Sequence, residues 1–294
     1  MVLMTDKTSI KDIYKRAAVD YDDNFENLLE PVWSDAIDRM EITAHCSILD
    51  IGCGTGKIIQ RIMERHGHHD LCIDGIDLSQ EMIAAAKIKF GGYNGNRIEL
   101  YCQDAMQYLK NCEMEKYDVV VVSFLLAYID SSKLFPLIGK VLKKGGRVVI
   151  VTTSTDHTKE CEKIFFGFAL RNPTYFNWWT IFSKPLSLVA PIKKIRKQIW
   201  EAGFQDFEGK LILTKKTFDN FLGFLYWSAQ SGYTTMYYDL LIKDKKEEAM
   251  AALERYAEKN FIYFGEQVKI GKPFNFTWPV YIISAVKTTG EKTV

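Results

Sequence analysis

Between Ile48 and Lys57 an apolar run passes through Asp50 into three alternating glycines, Gly52, Gly54 and Gly56, and a helical pattern of Ile58, Ile59, Ile62 and Met63 follows at once. Strand, tight turn and helix N-terminus in that order make a site for a nucleotide-like ligand. Glycines let the backbone come close to the ligand, and the first helical turn offers unpaired N–H groups. A phosphate-binding P-loop needs a glycine five residues before Gly-Lys and Ser or Thr after the lysine. Ile51 and Ile58 stand there, which excludes that reading. The dinucleotide fingerprint puts its third small residue at Lys57, where close helix-to-strand packing would be lost, so it is strained but still open.

Other residues able to hold a nucleoside follow along the chain. The run Leu71 to Asp77 reads as a second strand ending in an acid, and an acid there accepts ribose hydroxyls, as it does for NAD. Asp77 alone therefore does not separate two cofactors. A third strand, Arg97 to Cys102, runs into Gln103-Asp104-Ala105. The fourth, Tyr117 to Ser123, is a continuous apolar run of the kind found in parallel strands covered on both faces. Leu142 to Val151 reads as a helix end, a turn at Gly145-Gly146 and a fifth strand.

An acid, an apolar residue and then G-x-G-x-G, here Asp50 to Gly56, resembles motif I of the class I S-adenosylmethionine-dependent methyltransferases, and the likeness continues in order over residues 46–152. The resemblance implies an α/β fold: a Rossmann-like, doubly wound seven-stranded sheet, mostly parallel with an antiparallel last strand, plus helical cap insertions. It implies S-adenosylmethionine as methyl donor and S-adenosylhomocysteine as product, with no metal. By the same resemblance Asp77 meets the ribose hydroxyls and Asp104 the adenine amino group. Asp50, Gly52, Cys53, Gly54, Gly56, Leu78, Met82, Gln103, Ala105 and Ser123 complete the expected cofactor site. Each acid also has a plainer reading: Asp50 closes a strand, Asp77 caps the helix starting near Ser79, and Asp104 caps the helix holding Met106 and Leu109.

The chain's 294 residues favour one domain with insertions, and its net charge of +1 gives no basic excess for nucleic acid. Few apolar residues precede Asp6 and Lys7, and no apolar stretch reaches spanning length. A soluble, cytoplasmic protein without stable membrane insertion is expected, as monomer or homodimer. The six cysteines, Cys46, Cys53, Cys72, Cys102, Cys112 and Cys161, form no CxxC pair and read as small buried hydrophobes in a reducing compartment. His66, His68 and His69 sit in one loop with only Asp70 nearby, a poor metal set. Lys193, Lys194, Arg196 and Lys197 alternate with Ile192, Ile195 and Ile199, the pattern of an amphipathic helix whose basic face is solvated or meets an anion or a membrane surface.

Three segments lie outside the expected cofactor core of residues 46–152. Residues 1–45 form a helical lid in this reading; Ile10, Ile13, Tyr14, Ala17 and Tyr21 share one helix face, and Tyr14 and Tyr21 are candidates to cover the cofactor or to pack on the sheet edge. Residues 153–190 and 215–275 are aromatic-rich and form an expected acceptor-binding cap. Residues 191–214 and 276–294 supply the last helix and strands, with strands Phe204 to Leu213 and Trp278 to Val286, while within 215–275 Thr217 caps a helix. Phe218, Phe221, Leu222, Leu225 and Ala229 share one face of that helix, with Phe224 pointing elsewhere.

The expected reaction is attack by an acceptor lone pair on the sulfonium methyl. The acceptor is a small, hydrophobic or aromatic molecule methylated at O, N or C. Positioning can supply about 7 to 11 kcal/mol of the barrier, and a general base about a hundred- to ten-thousand-fold in rate. His157, beside Asp156, is the candidate base and Tyr128 a candidate hydrogen-bond partner; an exposed loop histidine and a packing tyrosine are the plainer readings. A carrier-bound or protein acceptor docked on the basic face, and a non-catalytic cofactor-binding scaffold, are the rival functions.

Overall fold

The computed structural model describes residues 21–90, 97–177, 190–231, 238 and 240–288, without the side chains of residues 21, 24, 26, 27, 68 and 156–162. The apolar runs become β1 (Ser47–Ile51), β2 (Cys72–Asp77), β3 (Arg97–Cys102), β4 (Tyr117–Ser123) and β5 (Leu142–Thr153). Adjacent pairs among them are parallel, with β1 between β2 and β4. β6 (Phe204–Phe218) follows, then the short hairpin of β7 (Ile262–Tyr263) and β8 (Glu266–Gln267), and finally β9 (Phe274–Lys287). The seven-stranded sheet has the order β3-β2-β1-β4-β5-β9-β6. β9 is antiparallel to β5, Arg147 facing Val286 and Thr153 facing Val280. It lies inside the sheet, and β6 is the edge.

Helices alternate with the strands: α1 (Tyr21–Asp38), α2 (Lys57–His66), α3 (Gln80–Phe90), α4 (Ala105–Asn111), α5 (Ser131–Val141), α6 (Thr155–Arg171), α7 (Ile192–Glu201), α8 (Phe221–Gln230) and α9 (Lys246–Asn260). Val120, Val122, Val148 and Ile150 pack with Leu134, Phe135 and Ile138 of α5 and with Ile195 and Ile199 of α7. Their neighbours Val119, Val121, Val149 and Val151, which point to the other face, are buried as well. Burial on both faces is why β4 and β5 read as unbroken apolar runs.

The chain divides into two compact units. One comprises residues 29–154, 189–212 and 280–294 and holds β1 to β5 with the glycine turn. The other comprises residues 1–28, 155–188 and 213–279. Its core is aromatic: Phe224 lies 5.6 Å from Phe221 and 5.0 Å from both Phe274 and Phe276, ring centre to ring centre. Phe168 lies 5.8 Å from Phe176 and 5.7 Å from Tyr256.

Several sequence expectations are corrected. Thr217 does not cap a helix; it belongs to β6, which runs on to Phe218, and its hydroxyl bonds Asn275 at 3.0 Å. The cap of α8 is Asn220, whose side chain accepts from Gly223 N at 2.7 Å. Phe224 is buried together with Phe221 and Leu225, whereas Leu222 is only half-buried. α1 continues through Pro31, which removes a helix hydrogen bond; burial of Leu29, Val32, Trp33, Ala36 and Ile37 offsets that loss. Among the cysteines, Cys46 and Cys53 are buried, but Cys102 is exposed at the end of β3.

Candidate cofactor site

The glycine turn is tied to the tip of β2. Gly52 N and Cys53 N both donate to Ile76 O, at 2.8 and 3.0 Å. Gly54 N donates to Asp77 Oδ2 at 3.0 Å, and Ser79 N to Asp77 Oδ1 at 2.8 Å. Ser79 Oγ in turn accepts from Met82 N at 3.3 Å and so caps the first turn of α3. Asp77 O accepts from Gln103 N at 2.9 Å, which fixes the tip of β3 beside that of β2. Asp77 thus organises the turn rather than merely ending a strand. Burial raises its pKa, and the backbone donors of Ser79, Gly54 and Leu78 pull against that rise without reversing it.

The glycines serve different ends. Gly56 has φ +77°, and a Cβ there would lie 2.5 Å from the ring of Phe90, so this glycine lets α2 and α3 approach. Gly54 has φ +54°, and a Cβ there would meet nothing within 4 Å. The chain is open on that side, where a ligand can approach its backbone. At the N-terminus of α2 no side chain caps the first turn and no acid lies within it.

Asp50, in β1, is fully buried, and neither of its carboxylate oxygens has a hydrogen-bond partner among the described residues. Burial and the charge of Asp77 push its pKa up to about 8. Asp74 of β2 is equally buried, yet its Oδ2 receives Lys116 Nζ at 2.7 Å and the Tyr117 hydroxyl at 2.6 Å. The described residues therefore compensate one buried aspartate and leave the other without a partner. Ser123 Oγ, at the end of β4, is also buried without a partner among the described residues. A ligand bringing hydroxyls and positive charge meets both needs. S-adenosylmethionine carries an ammonium, a sulfonium and two ribose hydroxyls, so the residues present fit it.

The other expected residues fall as follows. Met82 is buried, and Leu78, Gln103 and Ala105 are half-buried around the same strand ends. Asp104 caps α4, its Oδ1 accepting from Gln107 N at 3.0 Å. Tyr128 is half-buried in the turn after β4, its N–H donating to Leu125 O at 2.9 Å. His157 lies near the start of α6, and its side chain is outside the described residues, as are Tyr14 and the side chain of Tyr21. His66 and His69 lie 5.4 Å apart, ring centre to ring centre, and no group of three metal-ligating side chains occurs among the described residues.

Two features escaped the sequence reading. Phe124, directly after Ser123, has φ +52°, a strained conformation for a residue with a bulky side chain, and Trp33 of α1 meets its ring edge-on at 5.9 Å. Leu125 packs against Gly52, 3.3 Å from where a Cβ would stand. No glycine or asparagine marks the positive φ, so nothing in the local pattern pointed to it.

Fold and geometry together define a Rossmann-like protein whose candidate ligand site lies at the carboxyl ends of its first two strands. The family model described as a methyltransferase domain matches residues 48–146. Malonyl-[acyl-carrier protein] O-methyltransferase 1 of Ilyobacter polytropus is 30% identical over 50% of this chain and 53% of its own length. Demethylmenaquinone methyltransferase of Oceanobacillus iheyensis is 29% identical over 60% of this chain and 69% of its own. The solved structure of the YcgJ protein from Bacillus subtilis has the same fold, with a TM-score of 0.59 at 15% identity over 88% of this chain and 98% of its own. Over residues 48–146 the chain is similar to class I S-adenosylmethionine-dependent methyltransferases, and it shares their Rossmann-like fold. It spans about half the length of the first of these relatives.

Proposed function

We propose that this chain transfers the methyl group of S-adenosylmethionine to a small, apolar acceptor. The buried carboxyl of Asp50, left without a partner beside Asp77 and the glycine turn, carries the donor half of this reading. Bound there, S-adenosylmethionine supplies a methyl group on a cationic sulfonium. Asp77 holds the turn in shape and meets the ribose, the Gly54 backbone comes close to the ligand, and Asp50 and Ser123, which have no partner among the described residues, take up donors of the ligand.

The acceptor half rests on an apolar cavity within the unit of residues 155–188 and 213–279, lined by Phe165, Phe221, Phe224, Leu225, Met250 and Tyr263 among others. It holds about 50 Å³ of free space, more than the ~10–15 Å³ that a cavity needs to admit a water molecule. Slender apolar groups enter with least displacement of these rings, and water gains little from such walls. Two hydroxyls of the lining are already engaged, Ser228 donating to Leu225 O at 2.9 Å and Tyr263 to Thr277 O. Demethylmenaquinone, named in one relative, is an apolar aromatic of this kind. His157 is assigned the role of base for a hydroxyl acceptor, and Tyr128 that of hydrogen-bond partner.

Incubation with methyl-labelled S-adenosylmethionine and a panel of phenols, quinols and fatty acids tests the reading. Label is expected in an apolar product. Tight S-adenosylhomocysteine binding with label entering only polar amines or proteins would overturn the acceptor class and keep the donor site.

A further inference from the structure

α7 buries Ile195 and Ile199 in the sheet core and turns Lys193, Arg196, Lys197 and Trp200 outward in one stripe at helical spacing. Trp200 is 73% exposed, unusual for the largest apolar side chain. Beside the stripe lies an open groove of about 550 Å³, completed by Phe204, Gln205, Asp206 and Phe207. The Arg196 guanidinium lies over the Phe207 ring at 5.1 Å. Phe207 and Leu211 stand on the same face of the edge strand β6, and Leu211 is 44% exposed.

The charge is not neutralised within the fold. Lys193, Lys194 and Arg196 have no ion-pair partner among the described residues, and Lys197 reaches only Glu201, at 3.6 Å, between exposed side chains. Asp206 is the one acid in the groove. A chain whose net charge is +1 therefore concentrates four cations within five residues beside an exposed indole.

From this arrangement we propose that α7 and the adjoining turn of β6 form a docking surface for the face of an anionic lipid bilayer. Cations on flexible stems suit a fluid layer of phosphates, and tryptophan and leucine settle among the headgroups and first methylenes. A protein partner would be held by some 20 to 30 residues a side, whereas the stripe from Lys193 to Trp200 is only ~10 Å long. A bilayer needs no shaped counterpart, and each lysine or arginine near an anionic surface raises partitioning roughly fivefold. The docking is adsorption, with no helix crossing the membrane. It does not depend on the proposed methyl transfer, and its test uses neither donor nor acceptor.

Sedimentation of the full chain with vesicles of phosphatidylcholine alone, or mixed with phosphatidylglycerol, reads the effect. Binding to the mixed vesicles only, weakening as salt is raised, is expected. The combined change of Lys193, Lys194, Arg196 and Lys197 to Gln should lower partitioning at least tenfold, with the chain still folded at the assay temperature, as its melting curve checks, because all four side chains are exposed. Trp200→Ala should weaken binding severalfold and leave its salt dependence in place. Failure to sediment with anionic vesicles at low salt, or equal sedimentation of the four-fold variant, would overturn the proposal. Tight binding to polyglutamate without vesicle binding would also overturn it, and would assign the stripe to an acidic polypeptide.

Discussion

Asp50 and Asp77 lie at the ends of neighbouring strands, and complete burial of Asp50 together with the charge of Asp77 lifts the Asp50 pKa to about 8. At neutral pH the ligand-free protein therefore holds a proton on Asp50. A cationic ligand beside the pair favours the ionised form, so binding releases that proton. Affinity for S-adenosylmethionine should climb by up to roughly tenfold per pH unit between pH 6 and 8 and then level off. Calorimetry in buffers of different ionisation enthalpy checks this, and a buffer-independent heat would remove Asp50 from the site.

The same shift acts on folding. A carboxyl with a raised pKa holds its proton in the native state where the unfolded chain has lost it. Its stabilising contribution is thus complete below the ordinary carboxyl value of 3.8 and is lost as pH rises through about 8. Asp77 is raised in the same direction. Ligand-free protein should lose up to about 1.4 kcal/mol per pH unit from Asp50 across this window, and Asp77 acts in the same sense. Asp50→Asn, which keeps the shape and removes the charge, should flatten the dependence without abolishing it. Urea midpoints at pH 6 and pH 8 compare the two proteins, and equal slopes would refute the account.

Asp77→Ala strips acceptors from Gly54 N and Ser79 N as well as from the ligand. Hydrogen bonds to a charged group contribute about 1.5 to 3 kcal/mol each, so S-adenosylhomocysteine affinity should fall by at least tenfold. Asp77→Asn keeps one carbonyl acceptor and should fall between. Wild-type affinity in the alanine variant would exclude the ribose assignment.

Gly54→Ala and Gly56→Ala should separate ligand binding from folding. Both carry a positive φ, costing about 1 to 2 kcal/mol for a residue with a Cβ. Only at position 56 does the new methyl also meet the Phe90 ring. Gly56→Ala should therefore lower the urea midpoint much further, and Phe90→Leu in the same chain should recover part of the loss. Gly54→Ala should fold well and bind S-adenosylhomocysteine poorly. Equal stability losses would show that Phe90 yields freely.

The parallel strands were legible because burial on both faces writes itself as unbroken valine and isoleucine, as in Val119 to Val122. Asp50, Asp77 and the glycine turn were legible because few residue types tolerate that backbone and that ligand. The edge strand was harder. Lys215, Lys216 and Thr217 are all polar because β6 lacks a neighbour on one side, so the pattern resembles a loop before a helix. The helix cap was misplaced from Asn220 to Thr217 for that reason. The strain at Phe124 and its contact with Trp33, far off in sequence, depend on packing that no local pattern records.

His157→Ala tests the chemistry of the acceptor side. Position 157 falls near the start of α6, close behind the end of β5 at Thr153. A general base contributes about a hundred- to ten-thousand-fold, less than the 7 to 11 kcal/mol that positioning can supply. The variant should therefore lose at least about a hundredfold in kcat toward a hydroxyl acceptor while keeping measurable turnover. Its S-adenosylhomocysteine affinity should be unchanged, because the donor residues lie on β1 to β4 and the helices that follow them. An acceptor that reacts at carbon or at an already ionised oxygen needs no base at that step, and there the variant should match the wild type. Unchanged kcat on a hydroxyl acceptor would remove His157 from the mechanism and leave positioning alone to account for the rate.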